Sequence, residues 1–171
     1  RTTHNNIMLP GLGVGGYCLT KDPSFIKYSS KEILKSQNKF PIISQATKVN
    51  KQMTLTSLKF VKSKTNLQNK KIMICGGSYK EDTNDMRYSP SIEFASRLKK
   101  MGAKVFLHDP WIKQKEIESK NIFFQKKFNE KFDIIIFTVG HKLFKKIKLH
   151  KVKNNCLLFD LNNCLNQSQI S

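Results

Sequence analysis

The amino-acid sequence predicts an α/β fold in which helices cover a parallel sheet. Short, continuously apolar runs recur between residues 71 and 160, and amphipathic helical stretches alternate with them. A strand that is apolar on both faces belongs in a parallel sheet that is covered on both sides. We therefore interpret residues 66–171 as a Rossmann-like domain. Residues 1–65 are interpreted as a loop and long helices from the end of a separate, central helical region.

The first segment is predicted to contain a loop and two helices. Residues 1–21 are expected to form the loop. Asp22 and Pro23 favour a helix start, because Asp can cap a helix and Pro suits the first helical position. This helix is expected to run to about residue 37, with a partial apolar face formed by Phe25, Ile26, Ile33 and Leu34.

Pro41 opens a longer predicted helix that continues to about residue 64. Its apolar residues recur at roughly helical spacing, and lysines and polar residues fill the other side. A helix of this length either packs into the core or serves as a spine or subunit interface. The sequence leaves both interpretations open.

A polar linker at residues 65–70 leads into the sheet domain, where five strands are predicted. Ser89 and Pro90 begin a helix between the first two strands, and Gly102 ends it after Met101. The strands are predicted at 71–77, 104–108, 121–124, 132–139 and 156–160.

The net charge of +19 is carried almost entirely by lysine. Base readout and bidentate phosphate contacts favour arginine, and the chain has only Arg1, Arg87 and Arg97. The lysines are also spread along the chain rather than clustered. Nucleic-acid binding is therefore the weakest of the functions considered, and no nucleic-acid partner is expected.

Apolar patterning and cysteine usage point to a cytoplasmic protein. No run of eighteen apolar residues is present, so no membrane partner is expected, and no apolar segment of a signal peptide follows residues 1–6. Cys75 and Cys156 lie in strand-like runs and are interpreted as core thiols in a reducing compartment. The histidines, cysteines and carboxylates lack metal-ligand spacing, so no metal site is predicted.

A glycine-rich stretch in front of a cysteine is the most informative motif. It reads Leu9-Pro10-Gly11-Leu12-Gly13-Val14-Gly15-Gly16-Tyr17-Cys18-Leu19-Thr20-Lys21-Asp22-Pro23, with four glycines in six positions. Glycines allow a ligand to approach the backbone closely. A thiol, a cation and a carboxylate near a helix start are typical of covalent catalysis. A glycine turn beside a buried cysteine is the competing interpretation.

The loops that follow the predicted strands supply the other candidate site residues, because ligands of doubly wound sheets bind beyond the carboxyl ends of the strands. Loop 76–87 lacks the GxGxxG fingerprint, yet its glycines, Lys80 and Arg87 suit a phosphate. A solvated charged loop is the alternative. Asp109 is expected to cap a helix rather than to bind a ribose, and His141 is expected to be an exposed loop residue.

Two separated motifs resemble the nucleotide-sugar 6-dehydrogenases, the UDP-glucose/GDP-mannose dehydrogenase family. Residues 11–23 resemble the family's catalytic loop. The stretch ICGGSYKEDTNDMRYSP, followed by LKKMGAKVFLHDP, resembles the opening of its C-terminal UDP-binding domain. The helix around Val49 and Asn50 is similar to the family's central dimerisation helix. The resemblance implies oxidation of the C6 alcohol of a UDP-sugar to the uronate, with NAD as cofactor and a cysteine thiohemiacetal and thioester as intermediates.

The resemblance also implies roles for individual residues. Cys18 would be the nucleophile, Asp22 would assist proton transfer or activate water, and Lys21 would lie near the cofactor, as would Cys18 itself. Arg87 would reach NAD. The substrate would be bound by the backbone of the glycine loop and by one lysine: Leu9, Pro10, Gly11, Leu12, Gly13, Val14, Gly15 and Lys80.

The chain departs from the family pattern in two respects. The turn after the last strand has Asn162 where the family often has an arginine that touches the substrate. The family's N-terminal NAD-binding domain is also missing, so this chain is expected to be inactive alone and to need that domain in cis or in trans. A homodimer through the 41–64 helix is expected. A non-catalytic nucleotide-binding or scaffolding module is the alternative, and the identity of the sugar stays open.

Overall fold

The computed structural model describes residues 11–128, 131–149, 152 and 155–170. The helices of these residues are α1 (Cys18–Tyr28), which continues as a π-helical turn at Ser29–Ile33, α2 (Pro41–Lys64), α3 (Pro90–Lys100), α4 (Gln114–Glu118) and α5 (Gln167–Ile170), with a 3₁₀ turn at Phe144–Lys146. The strands are β1 (Lys71–Cys75), β2 (Lys104–His108), β3 (Phe123–Phe124), β4 (Ile134–Phe137) and β5 (Leu157–Asp160).

All five described strands form one parallel sheet in the order β3-β2-β1-β4-β5. The chain moves outward from β1 to β2 and β3, and it then returns to the other side of β1 to add β4 and β5. The strand order therefore reverses between β1 and β4, which is the place where doubly wound sheets bind ligands. The predicted α/β fold with a Rossmann-like parallel sheet is confirmed.

The two central strands divide the core into two layers. Alternate β1 residues face opposite sides, because side chains of a strand alternate between the faces of the sheet. Ile72 and Ile74 pack in the layer that contains apolar residues of α2 and α3, and Met73 and Cys75 pack in the layer that contains Phe144. Strand β4 is buried in the same way, which explains why β4 is apolar throughout and why β1 is apolar after the exposed Lys71.

The bounds of α2 and α3 agree with the sequence prediction. Helix α2 begins at Pro41 and ends at Lys64. The hydroxyl of Ser89 accepts a hydrogen bond from the Ser91 amide and caps α3, and Pro90 occupies the first helical position. Gly102 adopts a left-handed φ of +83° directly after this helix. Local capping signals therefore determined both ends of α3.

Helix α1 begins four residues earlier than predicted. Its first residue is Cys18, and Pro23 lies inside it. The Lys21 amide donates to the Tyr17 carbonyl over 2.9 Å, and the Thr20 hydroxyl donates to the Gly16 carbonyl over 2.5 Å. These bonds close the first turn before Asp22 is reached. The predicted start at Asp22 was wrong because Pro23 removes one amide donor without preventing the turn that precedes it.

The predicted apolar face of this helix does not join the core. The helical segment ends at Ile33 rather than near residue 37, and helix α1 itself buries no residue. The four residues that were expected to form the apolar face are between 48% and 74% exposed: Phe25 54%, Ile26 48%, Ile33 67% and Leu34 74%. Partial apolar periodicity predicted the helix but not what covers it.

The cysteines in the sheet domain differ in burial. Cys75 and Cys164 are buried, whereas Cys156 is half-buried rather than a full core thiol. Burial raises the pKa of the Cys75 and Cys164 thiols above the ordinary value. No helix in the described part of the chain combines the length and apolar character needed to cross a bilayer.

We predict that Gly76→Ala destabilises the sheet domain by about 1–3 kcal/mol, the range expected for a strained backbone position. Gly76 directly follows β1 and has φ +102°, and a Cβ there would lie 2.5 Å from the Cβ of Val139. The measurement is the free energy of unfolding in urea. Gly140→Ala is the matched control, because its new Cβ would meet mainly the movable end of the Glu81 side chain, at 2.6 Å. Equal losses in the two variants would contradict the prediction.

Candidate active site

Three segments meet near the carboxyl ends of the strands: the glycine loop (residues 11–17), the first strand loop (residues 76–89, after β1) and the turn at 161–164 after β5. The Gly16 amide donates to the Arg87 carbonyl over 3.2 Å and ties the first two segments together. A Cβ on Gly11 would stand 1.6 Å from Oδ1 of Asn162, so the turn touches the glycine loop as well. Motifs that are far apart in sequence therefore form one surface.

The glycine loop lies too close to the first strand loop for larger residues. A Cβ on Gly15 would lie 2.6 Å from the Tyr88 carbonyl oxygen and 2.9 Å from both Pro90 and Tyr79. Contacts below 3 Å with backbone cannot be relieved by rotating a side chain. Leu12 is buried in the core cluster, so its side chain anchors the loop and its backbone is the part left for a ligand. Leu9 and Pro10, predicted to contact substrate, lie outside the described residues.

Helix α2 holds the glycine loop through Asn50. The Val14 amide donates to Oδ1 of Asn50 over 2.7 Å, and Nδ2 of Asn50 donates to the Val14 carbonyl over 2.9 Å. One side chain thereby satisfies both backbone polar groups of an exposed loop residue. Sequence reasoning assigned no role to Asn50, because α2 also contains Gln45 and Gln52 and its sequence does not distinguish Asn50 from them.

Cys18 lies at the N-terminus of α1 and is exposed. The N-terminal end of a helix favours negative charge on a group placed there. Lys21 and Asp22 follow at i+3 and i+4, the spacing that puts side chains on the same side of a helix. Cys18 thus belongs to α1 instead of standing in front of it, and the three residues that the sequence singled out lie within the first five residues of this helix.

Tyr17 brings Lys21 and Arg87 together. Nζ of Lys21 lies 5.2 Å from the centre of the Tyr17 ring, and the Arg87 guanidinium lies 4.7 Å from it. Tyr88 contacts the same ring edge-on at 5.1 Å. Aromatic faces attract cations, so Tyr17 holds both positive charges beside the helix that begins with Cys18. This tyrosine was missed by sequence reasoning, because an aromatic residue within a glycine loop carries no periodic signal.

Arg87 is fixed from a second direction by Asp85. Their closest contact, Nη2 to Oδ2, is 2.6 Å, and Nε lies 2.9 Å from Oδ1. This hydrogen bonding raises the pKa of Arg87 and lowers the pKa of Asp85. The Arg87 side chain nevertheless remains 63% exposed. A permanent, oriented and accessible guanidinium suits a phosphate or pyrophosphate.

Lys80 lies in the first strand loop, exposed to solvent. Its carbonyl accepts hydrogen bonds from the Ser78 hydroxyl over 2.7 Å and from the Thr83 hydroxyl over 3.0 Å. The backbone at Lys80 is therefore held, while its ammonium group is free to meet a ligand. The sequence predicted the lysine but not the hydroxyls that fix its backbone.

Asp109 is a buried acceptor for two loops. It is 4% exposed, and it accepts from the amides of Gly77 (2.7 Å), Ser78 (3.2 Å) and Trp111 (2.8 Å). Burial alone would raise the pKa of Asp109, but hydrogen bonds from His141 and Gly77 outweigh it and lower the pKa. With its oxygens occupied, the carboxylate stabilises turns of the protein itself. It caps no helix, since the next one, α4, begins at Gln114.

His141 was expected to be exposed, and this expectation was wrong. The side chain is completely buried, it contacts the Phe144 ring at 5.2 Å, and it hydrogen bonds to Asp109. The loop sequence around His141 did not predict its burial, because Asp109, the hydrogen-bond partner that makes burial acceptable, lies 32 residues away along the chain. Among the described residues no cluster of three or more histidine, cysteine or carboxylate side chains has the arrangement of a metal site.

Comparisons with known proteins agree with this arrangement. Residues 73–167 match the UDP-glucose/GDP-mannose dehydrogenase family, UDP binding domain, and residues 1–52 match the central domain of the same family. The two matches together cover the glycine loop and the parallel sheet. The chain belongs to the UDP-glucose/GDP-mannose dehydrogenase family.

Relatives with assigned activities are nucleotide-sugar dehydrogenases. A UDP-N-acetyl-D-mannosamine dehydrogenase of Methanococcus maripaludis is 30% identical over 172 residues, which covers 95% of this chain and 38% of the relative. A UDP-N-acetyl-D-glucosamine 6-dehydrogenase of Salmonella typhi is 29% identical and covers 89% of this chain and 37% of the relative. The chain thus spans a little over a third of the length of these relatives.

Solved structures share the fold. The crystal structure of an NDP-N-acetyl-D-galactosaminuronic acid dehydrogenase from Methanosarcina mazei has a TM-score of 0.78 and 25% identity, over 96% of this chain and 37% of that one. A GDP-mannose dehydrogenase from Pseudomonas aeruginosa has a TM-score of 0.77 and 22% identity, over 95% of this chain and 39% of that one. The second likeness concerns the fold alone.

We predict that Asn50→Ala frees the glycine loop, because it removes both hydrogen bonds to Val14. Hydrogen exchange of the Val14 amide should accelerate, and stability should fall by about 1–2 kcal/mol for two hydrogen bonds in a partly exposed setting. Asn50→Asp is the control variant, since it keeps an acceptor for the Val14 amide and loses only the donor. Unchanged exchange at Val14 in Asn50→Ala would show that other contacts hold the loop.

Proposed function

We propose that this chain supplies the catalytic loop and the UDP-binding domain of an NAD-dependent nucleotide-sugar 6-dehydrogenase. The reaction is the oxidation of the C6 alcohol of a UDP-sugar to the uronate. The observation that carries the proposal is the contact between the glycine loop, which leads directly into Cys18, and the first strand loop. The Gly16 amide donates to the Arg87 carbonyl over 3.2 Å. This contact joins a candidate nucleophile to an anion-binding loop.

Substrate binding is assigned to the glycine loop and Lys80. The backbone of residues 9–15 follows the sugar nucleotide, and close packing of Gly15 against Tyr88 supports a loop whose path is set before the ligand arrives. The Lys80 ammonium neutralises charge on the diphosphate. Asn162, which lies against Gly11, offers an amide to the substrate in place of a charged arginine.

Catalysis is assigned to the first turn of α1. After the alcohol has been oxidised to the aldehyde, the Cys18 thiolate adds to the aldehyde carbon and forms a thiohemiacetal. Oxidation of this adduct gives a thioester at Cys18. Water then attacks the thioester carbonyl, Asp22 accepts a proton from that water, and the C–S bond breaks to release the carboxylate and restore the thiolate.

The cofactor site is assigned to Lys21 and Arg87. Two cations on the faces of one tyrosine fit a dinucleotide pyrophosphate. When bound, NAD would accept the hydride from C6, and the two oxidations would use one NAD molecule each. The first strand loop lacks the GxGxxG fingerprint, so an NAD-binding domain is assigned to another polypeptide segment, in cis or in trans.

The proposal extends to assembly and setting. Helix α2 keeps Val49, Leu55 and Phe60 partly exposed, at 45%, 38% and 50%, which supports its assignment as the homodimer interface. A cytoplasmic location and a place in polysaccharide biosynthesis accompany the assigned activity. The second candidate function is a non-catalytic nucleotide-binding or scaffolding module, which is favoured by the amide at Asn162 in the turn beside the glycine loop.

We predict that UDP raises the thermal unfolding temperature of this chain by several degrees, because a ligand of the folded state stabilises it. Lys80→Met should weaken UDP binding about tenfold, in the range of one lost hydrogen bond to a charged group. The measurement is a thermal-shift titration with UDP, supported by calorimetry. Lys145→Met is the control, since Lys145 is an exposed lysine on the 3₁₀ turn. Equal binding by both variants would contradict the role of Lys80.

We predict that Cys18→Ser abolishes uronate formation when this chain is combined with the NAD-binding domain, because a hydroxyl is a far weaker nucleophile than a thiolate. Asp22→Asn should slow turnover about a hundredfold, the usual contribution of a general base. NADH absorbance measures the oxidation, and UDP binding confirms that each variant is folded. Unchanged oxidation by Cys18→Ser would refute the assigned chemistry, whereas UDP binding without any oxidation in the parent would favour the non-catalytic module.

A further inference from the structure

Both ends of the segment that carries Lys80 are held by one buried pair, His141 and Asp109. Oδ2 of Asp109 accepts from the Gly77 and Ser78 amides, at the start of the segment. Nδ1 of His141 accepts from the Asp82 amide over 2.9 Å, at its end. Nε2 of His141 and Oδ2 of Asp109 are 3.0 Å apart, so the two residues that hold the ends of the segment are hydrogen bonded to each other.

These partners fix the position of the ring proton of His141. The Asp82 amide is a donor, so Nδ1 must be the acceptor and carries no proton. The Asp109 carboxylate is an acceptor, so Nε2 carries the proton and donates it. A ring with this proton arrangement satisfies both neighbours at once. The completely buried side chain thus leaves no ring nitrogen without a partner.

The held segment contains a backbone conformation that needs support. Asp82 has φ +51°, in the left-handed region that side chains other than glycine rarely adopt. Its amide is bonded to His141, and its carboxylate accepts from the Lys142 amide over 3.2 Å. Loss of the His141 bond would let Asp82 leave this conformation. Lys80, two residues earlier, would then be held only through its carbonyl, by the hydroxyls of Ser78 and Thr83.

We propose that His141, paired with Asp109, is a positioning residue that sets the Lys80 ammonium for the diphosphate of the substrate. This proposal rests on the proposed function, because it assigns the binding role to Lys80. His141 acts through the backbone of Asp82 and touches neither substrate nor cofactor. Its effect therefore depends on Lys80 being present, which distinguishes positioning from a general contribution to stability.

Two substitutions of His141 distinguish its hydrogen bond with the Asp82 amide from its hydrogen bond with Asp109. His141→Asn places an amide oxygen near the position of Nδ1, so it can still accept from the Asp82 amide. His141→Gln reaches the position of Nε2, so it can still donate to Asp109 but loses the hydrogen bond with the Asp82 amide. Calorimetric titration of this chain with UDP should show binding about tenfold weaker in His141→Gln, the size of a typical coupling between neighbouring groups, and a smaller loss in His141→Asn.

The decisive comparison adds Lys80→Met to each variant. If His141 acts through Lys80, His141→Gln weakens UDP binding little further in the Lys80→Met background. Full additivity of the two losses, or equal affinity of the Gln and Asn variants, would overturn the proposal. UDP binding by Lys80→Met that equals the parent's would instead overturn the substrate-binding role of Lys80 in the proposed function, and this proposal with it.

Hydrogen exchange in the unsubstituted chain gives a test that does not depend on a variant folding. The Asp82 amide should exchange slowly without UDP, because His141 holds it before the ligand arrives. Exchange at the rate of an open loop, slowed only when UDP is added, would show that the ligand orders the segment and that His141 does not. Either result stands even if His141→Gln fails to fold.

Discussion

A single buried carboxylate organises the ligand-facing edge of this molecule. Asp109 stands at the end of β2, accepts amide hydrogen bonds from the loop after β1, and is bonded to a histidine from the loop after β4. Such a charge is costly to bury unless most of its hydrogen-bonding capacity is used. Four backbone amides from two loops and the His141 side chain donate to Asp109, and these five donors meet that requirement. The loops that carry Lys80 and His141 are consequently parts of one hydrogen-bond network.

The glycine loop depends on a different kind of contact. It gains its path from close approach, at Gly15, and from the Asn50 side chain, which bonds to both polar groups of Val14. Its far end becomes the first turn of α1, where Cys18 is placed. The position of the Cys18 thiol therefore depends on the position of α2, because Asn50 of α2 holds the loop. Tyr17 adds the contact with Arg87, so the helix start is connected to the sheet domain through both backbone and side chain.

Sequence patterns predicted the parts of the structure that depend on local or periodic chemistry. Continuous apolar runs predicted β1 and β4, and the Ser89-Pro90 and Gly102 signals predicted both ends of α3. The α1 boundary failed because the capping propensity of Asp22 was outweighed by hydrogen bonds from Lys21 and Thr20 to the residues before Cys18. His141 and Asn50 could not be predicted, since what matters about each is a partner more than 30 residues away.

The position of Trp111 has a consequence for observing the molecule. It is the single tryptophan of the chain, it is half-exposed, and its backbone amide donates to Asp109. The Trp111 side chain is also among the groups that lower the pKa of the Asp82 carboxylate, at the end of the segment that carries Lys80. The tryptophan fluorescence of the protein therefore originates from one site beside the first strand loop. The chain has a built-in optical reporter there, and events in that loop can be followed in real time without attaching a dye.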